Sequence, residues 1–172
     1  HSIAAGNFGN LPEILNNFSK KDLLCVRPSS ESPDWGGPSA IMNIGMNNLR
    51  YKELKQKLGA DAASSIYINF VQAYSLHVAR LDPDIFNPVE TQNSAALAKV
   101  LEIYESETEH EFPQDITTQL SEILRSMART WESTTARLLR QAKGAPLDAG
   151  LGLVIQVMAF GLGCLLYTSP SP

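Results

Sequence analysis

Cysteine is scarce in this chain, with only Cys25 and Cys164 among 172 residues. Two cysteines this far apart, one of them inside an apolar run, form neither a disulfide framework nor a metal-ligand spacing, and a reducing, cytoplasmic setting is expected. Histidine is nearly as sparse. His1, His77 and His110 are widely separated and support no metal site. Charge is low at 19%, the formal net charge is -4, and lysine and arginine are scattered rather than striped, which leaves no footprint for gripping nucleic acid. No Walker-type G-x-x-x-x-G-K-[ST] occurs, and the Gly150-Leu151-Gly152 pair lacks the third glycine of a dinucleotide-binding turn. The first residues lack the basic, apolar and small-residue regions of an export signal.

What the chain does have is apolar content, 44%, with no low-complexity block, and this predicts a folded domain or most of one. Asn10-Leu11-Pro12-Glu13 reads as a short helix start. Asp22 to Val26 reads as a buried strand, and the breaker-rich segment 28–39 as a loop. Residues 41–47 are a short strand or a packed loop. Leu49 to Leu58 predicts a helix ended by Gly59, and a stronger helix runs from Asp61 until Asp82-Pro83 stops it. Ser94 caps a third helix, Glu105 to Glu111 is a solvated connection, and Pro113-Gln114-Asp115 opens a helix with a stripe from Ile116 to Trp131. Leu153 to Met158 reads as a strand. Residues 149–167 carry no charge, but four glycines and Gln156 lie inside them, so a buried strand and turn is expected rather than a membrane span. The abrupt change at the end marks 164–172 as a truncated or non-native tail.

Arg27 stands out among the candidate functional residues, at the end of a buried strand and the mouth of a glycine-containing loop. A guanidinium offers five donors in a fork that matches phosphate oxygens, and Gly36 and Gly37 let backbone amides approach a polyanion. The competing reading is a surface ion-pair partner. Cys25 reads as a small core residue, Ser29 and Ser30 have no nearby base, and Trp35 and Trp131 read as packing residues.

Several blocks occur in the order found in pyruvate, phosphate dikinases. Leu23-Leu24-Cys25-Val26-Arg27, Trp35-Gly36-Gly37 and Ile41 to Asn47 resemble the family's "VSVRSG", "MPGMMDT" and "ILNLGLN". Phe70 to Ser75 resembles "FIQMYS", Glu111-Phe112-Pro113-Gln114 resembles "EFPQ", and Ile155 to Gly161 resembles "VQTMVFG". The resemblance implies an α+β, ATP-grasp-like partial nucleotide-binding domain over 1–163 with a largely helical insert. It implies ATP phosphates on Arg27, Gly36 at the family's loop glycine, and Gln156, Val157 and Met158 near the adenine. Mg²⁺ would accompany ATP, with its ligands outside this chain. The complete enzyme of that family also carries a phosphohistidine domain and a pyruvate/phosphoenolpyruvate barrel, neither present here, so the piece alone is expected to be inactive. Departures inside the match, Pro28-Ser29 for "SG" and Ile68-Asn69 for paired arginines, make a non-catalytic homologue the alternative.

Overall fold

The computed structural model describes residues 11–87, 89, 93–146 and 148–159. Three short strands form one antiparallel sheet in the order β2-β1-β3, with β1 at Leu24–Ser29, β2 at Ile41–Ile44 and β3 at Gly152–Val157. Leu24 faces Ile44 and Val26 faces Ile41, a register that slips by one residue between the pairs. That bulge is accommodated at Asn43, whose φ of 64° lies in the left-handed region that asparagine tolerates better than most residues. The register with β3 is regular, from Leu24 opposite Val157 to Ser29 opposite Gly152.

Among the described residues there are six α-helices, of which the third and the fifth pack on the sheet. They are α1 (Leu11–Leu15), α2 (Asn48–Leu58), α3 (Ala60–Tyr74), α4 (Ser94–Thr108), α5 (Ile116–Glu132) and α6 (Thr134–Ala142). Four of them start on short polar side chains that satisfy otherwise orphaned amides. Asn47 accepts from the Arg50 N–H at 2.8 Å, Asn93 from Ala96 at 2.9 Å, Asp115 from Thr118 at 2.8 Å and Ser133 from Ala136 at 3.3 Å. Between α2 and α3, Gly59 turns the chain at φ 90°, a conformation open to glycine because no Cβ meets the backbone.

The core lies between one face of the sheet and the apolar stripes of α3 and α5. Leu24, Val26, Ile41 and Ile44 meet Ile68, Phe70 and Val71 from α3 and Leu120, Ile123 and Met127 from α5. At its helical end Phe112 is the hub of an aromatic cluster, edge-on to Phe70, Tyr74 and Tyr104 with ring centroids 5.5, 5.2 and 5.2 Å away.

The mixed α+β class expected from the sequence is what the structure shows, with several local differences. The first strand runs beyond Val26 to Ser29, and Pro28 is paired with Leu153 instead of opening a loop. There β1 has a neighbour only on the β3 side, so a residue without an N–H is tolerated. The cap of α4 is Asn93 and not Ser94, and α4 continues to Thr108, well into the expected solvated connection. The second long helix breaks at Tyr74 into a π-helical turn, Ser75–Ala79, and Arg80 at φ 59° ends it. Helix α6 is an addition to the expected elements, its nine residues following directly on α5 with a single-residue Ser133 joint. β3 is a strand as expected, but it is not buried: Val154 and Val157 are 47% and 46% exposed. Among the described residues no helix is long and apolar enough to cross a membrane, and the expected tail 164–172 lies outside them.

Candidate functional site

Strand alternation decides what β1 presents. Leu24 and Val26 point into the core, so Cys25 and Arg27 point to the opposite face of the sheet. Arg27 is exposed and sits opposite Val154; Gln156, also exposed, sits opposite Cys25. Arg27 and Gln156 are therefore diagonal neighbours on one open face, within reach of long side chains. Burial pushes the Cys25 thiol above its ordinary range, and the nearby Arg27 charge only partly opposes this. Cys25 is buried as expected of a packing residue, although on the sheet face opposite the main core cluster.

The other expected contact residues divide. Val157 sits opposite Leu24 and so falls on the other side of the strand from Gln156. Met158 leaves the strand, its N–H donating to the Leu23 carbonyl at 2.8 Å while its side chain packs against the core. Gly36 and Gly37 follow a 3-10 turn at Pro33–Trp35 in which the Asp34 amide is met by the Ser32 hydroxyl. Gly36 has φ 70°, and a Cβ there would lie 3.0 Å from Leu139 Cδ2. A Cβ on Gly37 would lie 3.5 Å from the Trp131 ring. The glycine loop therefore rests on the junction of α5 and α6, and both the backbone conformation and the space favour glycine at 36.

That junction holds residues whose roles the sequence did not disclose. Arg140 is buried, its guanidinium carbon stands 3.8 Å from the centroid of the Trp131 ring, and its Nη1 donates to the Trp131 carbonyl at 2.6 Å. The Trp131 indole N–H donates to the Ala149 carbonyl at 3.2 Å, three residues ahead of β3. The signal in the sequence is that Trp131 and Arg140 both align with the dikinase block "SWDNPRAIVYRR", although Thr135 stands where that block has its internal arginine.

Two glutamines form a second constellation. The buried Gln119 accepts from the Gly45 N–H at 2.8 Å and donates to Met46 and Pro113 carbonyls at 3.0 and 2.7 Å. Gln114 accepts from the Asn48 N–H at 2.8 Å and donates to the Tyr67 hydroxyl at 3.1 Å, while Asn47 donates to the Gln114 carbonyl at 3.0 Å. The blocks Ile44 to Asn47 and Glu111 to Gln114 are thus a structural clasp between β2 and α5. Clefts of about 660 and 490 Å³ lie away from the sheet face, the first between α1 and the starts of α2 and α5, the second beside the π-helical turn. Among the described residues no group of three or more His, Cys, Asp or Glu side chains could hold a metal.

These features define a mixed α+β unit in which Arg27 and Gln156 share one sheet face and the glycine loop rests on Leu139 and Trp131. In sequence the chain is similar to pyruvate, phosphate dikinase from Clostridium symbiosum, 26% identical over 158 residues that cover 81% of this chain and 18% of that protein. This is a distant relationship, and the chain spans less than a fifth of the length of that relative. No family model matches the chain.

Proposed function

We propose that this chain is the ATP-binding part of a dikinase-like phosphotransferase, built as a partial ATP-grasp-like domain. The observation that carries the reading is the placement of Arg27 and Gln156 on one open sheet face, together with the distant similarity to a dikinase. Arg27 would hold phosphate oxygens with its fork of donors, the amides of Gly36 and Gly37 would approach them, and Gln156, from which Val157 and Met158 part, would alone meet the base. Mg²⁺ would arrive on the nucleotide, with ligands supplied from outside this chain. Phosphoryl transfer depends on positioning and charge neutralisation, and one arginine supplies only part of that. In this reading the chain binds nucleotide in a cytoplasmic protein, while a phosphohistidine domain and a pyruvate/phosphoenolpyruvate barrel elsewhere in the complete protein carry out turnover.

Calorimetric titration with MgATP tests this on the chain and on Arg27→Ala. Wild type is expected to bind, and the variant to lose about 1.5–3 kcal/mol, the range for a hydrogen bond to a charged group. A wild-type chain that is folded and binds no ATP would overturn the proposal. A second reading, a non-catalytic homologue that binds nucleotide for regulation, is favoured by Pro28 and Ser29, which stand in place of the family's "SG" and are paired within β1. A full-length gene product that binds ATP without phosphorylating itself would select it.

A further inference from the structure

We infer that Arg140, acting through Trp131, is a positioning residue for the glycine loop and for β3, and so controls the phosphate grip without touching nucleotide. The inference rests on the ATP-binding reading above. Gly36 and Gly37 carry no side chains with which to anchor themselves, and a loop of this kind is held by what it rests on. Here it rests on Leu139 and on the face of Trp131, which would meet a Cβ at 3.0 and 3.5 Å respectively.

Trp131 in turn is held from two sides. The planar Arg140 guanidinium lies over its ring at 3.8 Å and bonds its carbonyl at 2.6 Å, closing α6 back onto the last turn of α5. On its other edge the indole N–H reaches the Ala149 carbonyl at 3.2 Å. One side chain therefore touches both the loop that follows β1 and the segment that leads into β3. Those are the two segments that must keep a fixed distance if Arg27, the loop amides and Gln156 are to converge on one ligand. Arg140 is the only arginine among the described residues that is buried, and a desolvated guanidinium held by stacking and a short hydrogen bond is a rigid strut. Lysine at 140 would keep the charge and lose the planar stack, so it should serve in part. Methionine would lose both.

The test compares wild type with Arg140→Lys, Arg140→Met and Trp131→Phe, which keeps an aromatic ring and loses the N–H to Ala149. Leu138→Ala, at an exposed residue of the same helix, is the control. MgATP affinity is measured by calorimetry, and hydrogen exchange is followed in 30–39 and 149–157 against α3 as an internal reference. The expected result is roughly tenfold weaker ATP binding in Arg140→Met, a smaller loss in Arg140→Lys and Trp131→Phe, and no change in the control. Exchange should rise in both segments and stay constant in α3. If Arg140→Met is folded, binds ATP within twofold of wild type and leaves exchange in 30–39 unchanged, the inference is overturned. If Arg140→Met does not fold, Arg140→Lys and Trp131→Phe decide by the same two measurements. If wild type binds no ATP, the functional reading fails by itself, and exchange in the two segments alone decides whether the strut exists.

Discussion

Gln119 shows how much one side chain can organise. Its amide satisfies one backbone donor and two backbone acceptors from segments more than 70 residues apart and from its own lead-in, all at the edge of the core. Replacing it by leucine keeps the volume and orphans those groups where water cannot easily take its place. Each unsatisfied buried group costs about 1–3 kcal/mol, so with three groups orphaned Gln119→Leu should lower unfolding free energy by about 3 kcal/mol or more in urea titration. A loss below about 0.5 kcal/mol would show that water or relaxation satisfies the site. Asn43 and Gly36 make a related point: each stands at a left-handed φ, and at 36 the crowding by Leu139 adds to the backbone reason for glycine. Arg27 is singled out by an expected strand end, but it lies within β1, which continues through Pro28 to Ser29. Its alternation partner Cys25 and its diagonal neighbour Gln156 become a shared face only once the register with β3 is known.

At the scale of elements, most helices are legible because their apolar residues recur at the helical period and their ends carry short polar caps. α5 has the clearest stripe, from Leu120 through Ile123, Leu124 and Met127 to Trp131, every one buried. Its Asp115 cap meets both the amide and the hydroxyl of Thr118, at 2.8 and 3.0 Å. Asp115→Ala should cost about 1 kcal/mol. Asn93→Ala should cost a similar amount at α4, where one carboxamide oxygen serves Ala95 and Ala96. Urea midpoints check both, and a loss at one cap but not the other would mean that the unaffected helix end is held by its packing instead. α6 escapes a reading of the sequence because Leu138 is exposed, Leu139 is only partly covered by the glycine loop and the buried residue is Arg140, so its stripe is carried by a charged residue. β3 is legible as a strand and not as an edge, since branched residues mark extended chain whether or not anything covers it.

Across the whole molecule, the packing of α3, α4 and α5 around Phe112 places three phenols out of water. Burial raises Tyr67, Tyr74 and Tyr104 above their ordinary value, and at Tyr74 the hydrogen bond and charge of Glu122 push in the same direction. The folded chain therefore holds these protons more tightly than the unfolded chain, whose phenols titrate near pH ~10. Stability from this source is whole below that pH and is lost as pH rises beyond it. Urea midpoints should stay level from neutral pH to about 9 and fall above about 10, in step with phenolate absorbance. Tyr74→Phe should make that fall shallower. A midpoint that ignores pH through this window would show that the phenols are hydrated.

Most helices, the first and third strands and the buried stripe of α5 were legible from local pattern, because period and cap chemistry are properties of neighbouring residues; α6 and the Asn93 cap of α4 were not. Which face of β1 stays open, why Val157 and Met158 part from Gln156, how Pro28 enters a strand and how Arg140 comes to lie on Trp131 were decided by tertiary structure. Each of those depends on a contact between segments distant in sequence, such as Trp131 with Ala149 or Gly45 with Gln119. No local periodicity encodes such a pair, since it exists only after the core has brought the segments together.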